Sequence, residues 1–480
     1  MNYPEATVVT ETTFPPINLD LRTRRIALYG LGFTYFFSAF TFLSGVAVLI
    51  KDGSNQPFVA TSSTATRELL PLFTSITATF CVESIGYIHA SSLRWALLRE
   101  EHLELNSYLR LFTGTHKFGP NYWLVNFGVA IAIIITYMST SAIFLPDFYT
   151  GSPNEYDGTG TRINGVALIT IGLGLAFQAL VGSWTMKRHG KDILSWSSNP
   201  MNTTLICLTN GIFSRVPGRC LRGIDGPLDS NAPEQPKMKQ VRAGARIRSF
   251  SASLIFMLVV GIFYMILGGS LMSIDTSDGF LDTPAIIGID ADGTGTSSPD
   301  NSSIFRYMLI VACCQTPLTI ALHCAEIMVN LKRDEAVWRS ATSSSGTRLI
   351  SNGVLAALKS PLTIYLFFFK AVLHWLFGQA VQVQYLNGLG FSGITIIAMD
   401  IVYLILFFPF IFVARRHPRG AQPATYGHVQ TIANLVDNWG EVMWWGDKGE
   451  KADGSGVRHA GTSTHGKLPN LTMDKLYQGL

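Results

Sequence analysis

Eight stretches of mainly apolar residues recur along the chain, at about 26–50, 69–93, 121–145, 163–186, 251–273, 304–330, 362–382 and 393–414, separated by polar segments. A helix of roughly 20 such residues crosses a bilayer core about 30 Å thick, since each residue adds 1.5 Å and the helix satisfies its own backbone hydrogen bonds. The pattern predicts an all-α, polytopic transmembrane helical bundle of about eight spans. The first run follows a mostly polar 25-residue tail with Arg22, Arg24 and Arg25 and lacks a small-residue cleavage site, so it is expected to stay as an anchor.

Composition agrees: 48% of the 480 residues are hydrophobic and only 14% charged, too apolar for an ordinary soluble protein of this length. Basic side chains resist translocation, so their distribution predicts orientation. With the N-terminus inside, 31 of the 36 Lys and Arg fall in cytoplasmic segments, four (Lys51, Arg67, Arg162 and Arg306) fall outside, and Lys370 lies within a span. Both termini are therefore expected in the cytoplasm, in a plasma membrane or endomembrane. The units are an N-terminal tail (1–25), a first membrane half (26–186), a basic cytoplasmic loop (187–250), a second half (251–414) and a cytoplasmic C-terminal tail (415–480). The basic inner face implies contact with membrane lipids, anionic inner-leaflet lipid in particular, and not with nucleic acid. No protein partner can be named. Cys81, Cys313, Cys314 and Cys324 lie in spans and Cys207 and Cys220 in the inner loop, so external disulfides are not expected.

Two segments echo each other. "IHASSLRWALLREE" (88–101) and "LHCAEIMVNLKRDE" (322–335) align His89 with His323, Arg99 with Arg333 and Glu101 with Glu335. The fourth span maps on the eighth without a gap, "NGVALI" on "SGITII" and "KRH" on "RRH". The first maps on the fifth with Arg24 on Arg248 and Gly45 on Gly269, and the third on the seventh only through Pro120 and Pro361. A four-plus-four parallel internal repeat would produce these matches in this order, with a site between the halves and Gly172, Gly174, Gly261, Gly268 and Gly269 at close helix crossings. The positive-inside rule also collects Arg and His at inner span ends, so both explanations stand at this point.

The segments "GYIHASSLRWALLRE", "LHCAEIMVNLKRDEAVWR" and "ATYGHVQTIANLVDNWGEVMWWGDKG" resemble a group of multi-pass integral membrane proteins of filamentous fungi that has no assigned biochemical role. The resemblance implies a polytopic fold in a fungal membrane and brings no catalytic or binding residue with it.

Enzyme signatures do not emerge. "GLGFSG" (388–393) spells a dinucleotide-binding pattern but falls between two membrane helices, where it reads as a turn, and "DADGTG" (290–295) lacks the closing ligands of a calcium loop. P-loop, zinc-protease and serine-hydrolase motifs do not occur, so no catalytic residue, metal or cofactor is expected. In the tail, Val429, Ile432, Ala433, Val436 and Trp439 recur at helical spacing before Trp444 and Trp445, predicting a short amphipathic helix and an aromatic cluster, then a polar linker from 446 onward.

The chemistry worth following is charge inside the bilayer, which is costly unless paired or hydrated. At 1.5 Å per residue, Glu83 and Lys370 lie about 21 and 20 Å from the outer ends of their spans, and His374 and Asp400 about 13 and 10 Å. Two pairs are expected, Glu83 with Lys370 and His374 with Asp400, forming a structural network or a proton or ion relay. His89, His323 and Glu326 are expected near the inner interface. Transport of a small solute or ion is the favoured function, and a membrane scaffold or regulatory protein acting through its loop and tail is the alternative.

Overall fold

The structure is a computed structural model that describes residues 19–52, 58–60, 64–105, 108, 110–147, 160–220, 248–275, 301–349, 353–384, 388–415, 422–423, 425–452 and 454–479. Eight helices among them are long and apolar enough to cross a membrane: α1 (Leu21–Asp52), α2 (Thr64–Arg99), α3 (Trp123–Ala142), α4 (Gly165–His189), α6 (Arg248–Asp275), α7 (Asn301–Ala341), α9 (Pro361–Ala380) and α10 (Gly393–Arg415). Three short helices complete the set, α5 (Pro200–Thr209), α8 (Gly353–Leu358) and α11 (Val429–Leu435). The protein is an all-α polytopic bundle. Its outer surface carries large apolar side chains in the open, including Phe36 (67% exposed), Ile266 (62%) and Phe408 (61%). In water such a surface would be strongly unfavourable; against lipid tails it is not.

The helices pair in one pattern, twice. In the first half α4 packs on α1 and α3, and α2 packs on α1, α3 and α4; in the second, α10 packs on α6 and α9, and α7 packs on α6, α9 and α10. Between the halves α2 meets α9, α3 meets α7, and α3 meets α9. Exchanging the halves leaves these three contacts unchanged, as an approximate twofold relation requires, while a smaller one, α4 on α7, has no counterpart of its size. Both halves also carry a β-hairpin between their last two spans. Strand β2 (Phe144–Asp147) pairs with β3 (Gly160–Ile163), which also takes β1 (Phe58–Ala60), while β5 (Val381–Gln384) pairs with β6 (Gly388–Phe391). The hairpins enter the following helix alike: Asn164 N–H donates to the Ile143 carbonyl at 2.8 Å, and Ser392 N–H to the Ala380 carbonyl at 2.9 Å. "GLGFSG", expected as a turn, is thus strand β6 running into α10, because its backbone finds a partner strand in β5.

These hairpins fix the register that sequence matching left loose. Phe144 pairs with Ile163 and Val381 with Phe391, so the third span maps on the seventh at 237 residues and the fourth on the eighth at 228. The Pro120–Pro361 match is therefore one helical turn out of register. In the new register Tyr137 corresponds to His374, and the two rings stack at 3.6 Å, 7° from parallel. Ser141 corresponds to Gly378, and a side chain at Gly378 would run into Ser141. Equivalent residues touching each other mark the axis between the halves. Gly45 lies against Ile169 and Gly268 against the corresponding Ile397, so Gly45 matches Gly268 rather than Gly269, which has open space beside it. Gly172, Gly174 and Gly261 do sit at close crossings, against Phe42, Thr136 and Tyr403.

On the face that carries most of the basic residues, the chain builds a second core. Helix α7, 41 residues or about 60 Å long, outruns the bilayer and buries Trp338 among Ile432, Leu435, Met443, Trp445 and Tyr477. A four-stranded sheet of β4 (Thr347–Arg348), β7 (Val442–Glu450), β8 (Arg458–Ser463) and β9 (Tyr477–Gln478) completes this unit. The polar linker expected beyond residue 446 is therefore folded. Its polar residues satisfy one another: Asp437, buried, accepts hydrogen bonds from Lys448 Nζ (2.7 Å), His459 Nε2 (2.8 Å) and the Thr462 N–H. Burial pushes the Asp437 pKa up, but these donors outweigh it and hold the carboxyl well below the ordinary range. Part of the basic loop expected between the two membrane halves is likewise folded against this unit. Asn199 caps α5, whose residues Pro200 to Cys207 are buried and which packs on α11, while residues 221–247 lie outside the described set.

Candidate functional site

The site is built where α2, α7 and α9 meet, across the junction of the two halves. Lys370 of α9 is only 3% exposed, and its ammonium donates to two carboxylates, Glu83 of α2 at 2.5 Å and Glu326 of α7. Glu326 Oε1 is also 2.7 Å from His323 Nδ1, three residues earlier on the same helix face. One cation thus links a carboxylate of the first half with a carboxylate–imidazole pair of the second. Hydrated ions are expensive to bring this far from water, so the arrangement holds only while all three charges are present.

Beside the cluster lies a cavity of about 370 Å³. Glu83, His323, Glu326 and Lys370 line one end, and Arg94, Asn330, Arg333 and Ser198 line the end toward the basic face. Arg333 donates to Ser198 Oγ at 2.6 Å, and Arg94 to the Ser197 carbonyl at 3.0 Å. The loop between α2 and α3 supplies Leu105, Tyr108 and Arg110 as a further wall. Arg110 lies across Gly86, where any side chain would displace the guanidinium, and its Nε and Nη2 are buried without a hydrogen-bond partner. Glycine at position 86 thus makes room for a cation close to the middle of the bundle.

The structure brings Glu83 to Lys370, as the matching depths suggest, but it does not bring His374 to Asp400. His374 Nδ1 is 3.0 Å from Gln315 Nε2, with the ring face covered by Tyr137. Asp400 is buried on the far side of α10, close to Gly261 and Tyr403 of the α6–α10 contact, and its Oδ1 has no hydrogen-bond partner. Being in neighbouring spans at similar depth does not make two side chains face each other; the rotation of each helix decides that. Glu326 reaches Lys370 and holds His323 beside it, a meeting that depth counted from the outer end of so long a helix did not show. His89, the partner of His323 in the echo, is buried against Asn126 and the Pro120 backbone and does not line the cavity. The two histidines are equivalent in sequence and separate in role.

Sequence reading did not select Arg94, Arg110, Gln315 or Tyr137. Gln315, a full amide inside an apolar run, is the one that a stricter search for intramembrane polar groups would have found. The loop residue Arg110 carries no such signal. Among the described residues, one further group has metal-ligand chemistry, Glu100 with His102 and His116 at the end of α2. Comparison with known proteins finds no matching family model, no matching curated protein and no matching solved structure.

Proposed function

We propose that this multi-pass membrane protein moves a small solute or ion across the bilayer, with the cavity as its vestibule and the Lys370 cluster as its gate. The observation that carries this reading is a buried cation shared by carboxylates from both halves, in the wall of a cavity. Lys370 cannot keep both carboxylates and also pair with an arriving ion. A proton on Glu83 or a charged solute in the cavity would weaken the link between α2 and α9 and free the halves to rock about their junction. In this reading both termini are cytoplasmic, the cavity opens to the cytoplasm, and the basic face lies on anionic lipid.

The test is proton and solute flux in vesicles with a trapped pH dye. Glu83→Gln should abolish flux while leaving the protein folded, and the exchange Glu83→Lys with Lys370→Glu should restore folding without restoring flux. Cysteines placed at Ala90 and Ile327 should react with a membrane-impermeant maleimide from the basic face. If neither residue reacts and Glu83→Gln changes no flux, transport is the wrong reading. The folded C-terminal unit favours the alternative, a scaffold or regulatory protein. That role would survive Glu83→Gln and be lost on removing residues 422–479.

A further inference from the structure

The chain leaves α2 by a sharp reversal at Glu101, whose backbone is left-handed (φ 62°), a conformation uncommon outside glycine. The Glu101 and His102 N–H groups close the helix end on the Leu98 and Leu97 carbonyls. Glu100 and His102 are thereby set side by side, and the loop returns to bring His116 against them. One carboxylate oxygen and one nitrogen from each imidazole lie within 4.8 Å of one another. The His116 N–H donates to both Glu100 oxygens at 3.2 Å, which fixes the carboxylate's orientation. Among the described residues the imidazole nitrogens of His102 and His116 have no protein partner, and the His102 ring meets only the edge of Tyr108 at 6.1 Å.

We propose that Glu100, His102 and His116 bind a divalent transition-metal ion of the zinc class. Two imidazoles and a carboxylate suit zinc rather than magnesium or calcium, which prefer oxygen donors throughout. Zinc bonds of about 2.0–2.2 Å in a tetrahedron place ligand atoms about 3.4 Å apart, so closing on the ion requires side-chain shifts of about an ångström. A fourth position is left for water. The consequence reaches beyond the loop. Between the ligands the chain carries Tyr108 and Arg110 into the cavity wall, and Leu103 and Leu105 are hydrogen-bonded to Val429 and Gly427 of the C-terminal unit. A bound ion would therefore pin the cavity wall to the end of α2 and to the tail at once.

The test uses the full-length protein, purified without a histidine tag and titrated with zinc chloride in a calorimeter. The wild type should bind one more equivalent of zinc than the His102→Ala, His116→Ala double variant, and Glu100→Gln should weaken that site by more than about tenfold, the least that even a supporting partner is worth. Zinc should also slow tryptic cleavage of the unmodified protein after Arg110 and Lys117. Equal zinc uptake by wild type and double variant overturns the proposal. Where the double variant does not fold, a cleavage rate in the wild type unaffected by zinc overturns it instead.

Discussion

Where the second half carries Lys370, the first carries Ile133; where the second has His374, the first has Tyr137; and Asp400 answers to Gly172. In the register of the histidine echo, Glu326 corresponds to Ser92 and Glu83 to Pro317. The framework is repeated and the charge is not. Helix pairing, hairpins and glycine crossings depend on apolar fit, which both copies retain because each must still pack and seal against lipid. Charge within the bilayer is costly unless partners converge, and two copies of Lys370 facing each other near the axis would repel. One copy of the lysine serves both halves, with Glu83 reaching it from the other side of the junction.

The sharpest way to break this comparison is to remove the shared cation. Lys370→Met leaves Glu83 and Glu326 without their counter-charge and should lower stability by about 3–5 kcal/mol, read from thermal unfolding in detergent. Ile133→Val at the equivalent position should cost only about 1 kcal/mol. Similar losses at both positions would mean that the charge asymmetry has no energetic weight. The triple variant Lys370→Met, Glu83→Gln, Glu326→Gln should recover most of the stability, since neutral groups replace the whole network.

The glycine register gives the next largest effect. Leu in place of Gly45 or Gly268 would run into Ile169 or Ile397 and should destabilise by about 1–3 kcal/mol in each half. Gly269→Leu, on an open face, should fall within about 0.5 kcal/mol of wild type. If Gly269 proved the sensitive position, the register assigned to the first and fifth spans would be wrong by one residue.

Across the axis, the stacked pair of Tyr137 and His374 should show a coupling of about 1 kcal/mol in a double-mutant cycle with Leu at each position. A coupling near zero would remove the contact that marks the twofold. The smallest effect belongs to the hairpin exits. Asn164 accepts from the Val166 and Ala167 N–H groups, so Asn164→Ala should cost about 1 kcal/mol. Ser392 Oγ takes one long 3.4 Å bond from the Thr395 N–H and shares a 2.8 Å hydrogen bond with the Thr395 hydroxyl, and with a single backbone N–H to lose Ser392→Ala should cost less than Asn164→Ala, measured by the same melts.

Depth arithmetic found Glu83 and Lys370 because both lie in helices whose apolar ends are well marked. It did not join Glu326 to Lys370, because Glu326 sits in a helix that continues beyond the length of a span at one end and begins in a polar segment at the other. His374 and Asp400 defeated it for another reason. Distance along a helix is written in residue number, but the direction a side chain faces depends on how the helix is rotated against its neighbours, and glycines such as Gly261 set that rotation. Arg110 was out of reach altogether, since a loop has no periodicity from which to read its path.

The sequence by itself determined the eight spans, because the cost of exposing backbone and charge to lipid is paid locally, within each run of about 20 residues. It also determined the basic face and the order of the repeated elements. Only the tertiary structure decided the register between the halves, the two carboxylates on Lys370, the arginine laid over Gly86 and the folding of the tail around Trp338. Each of these depends on which surfaces of distant segments meet, and that is a property of the assembled chain rather than of any stretch of it.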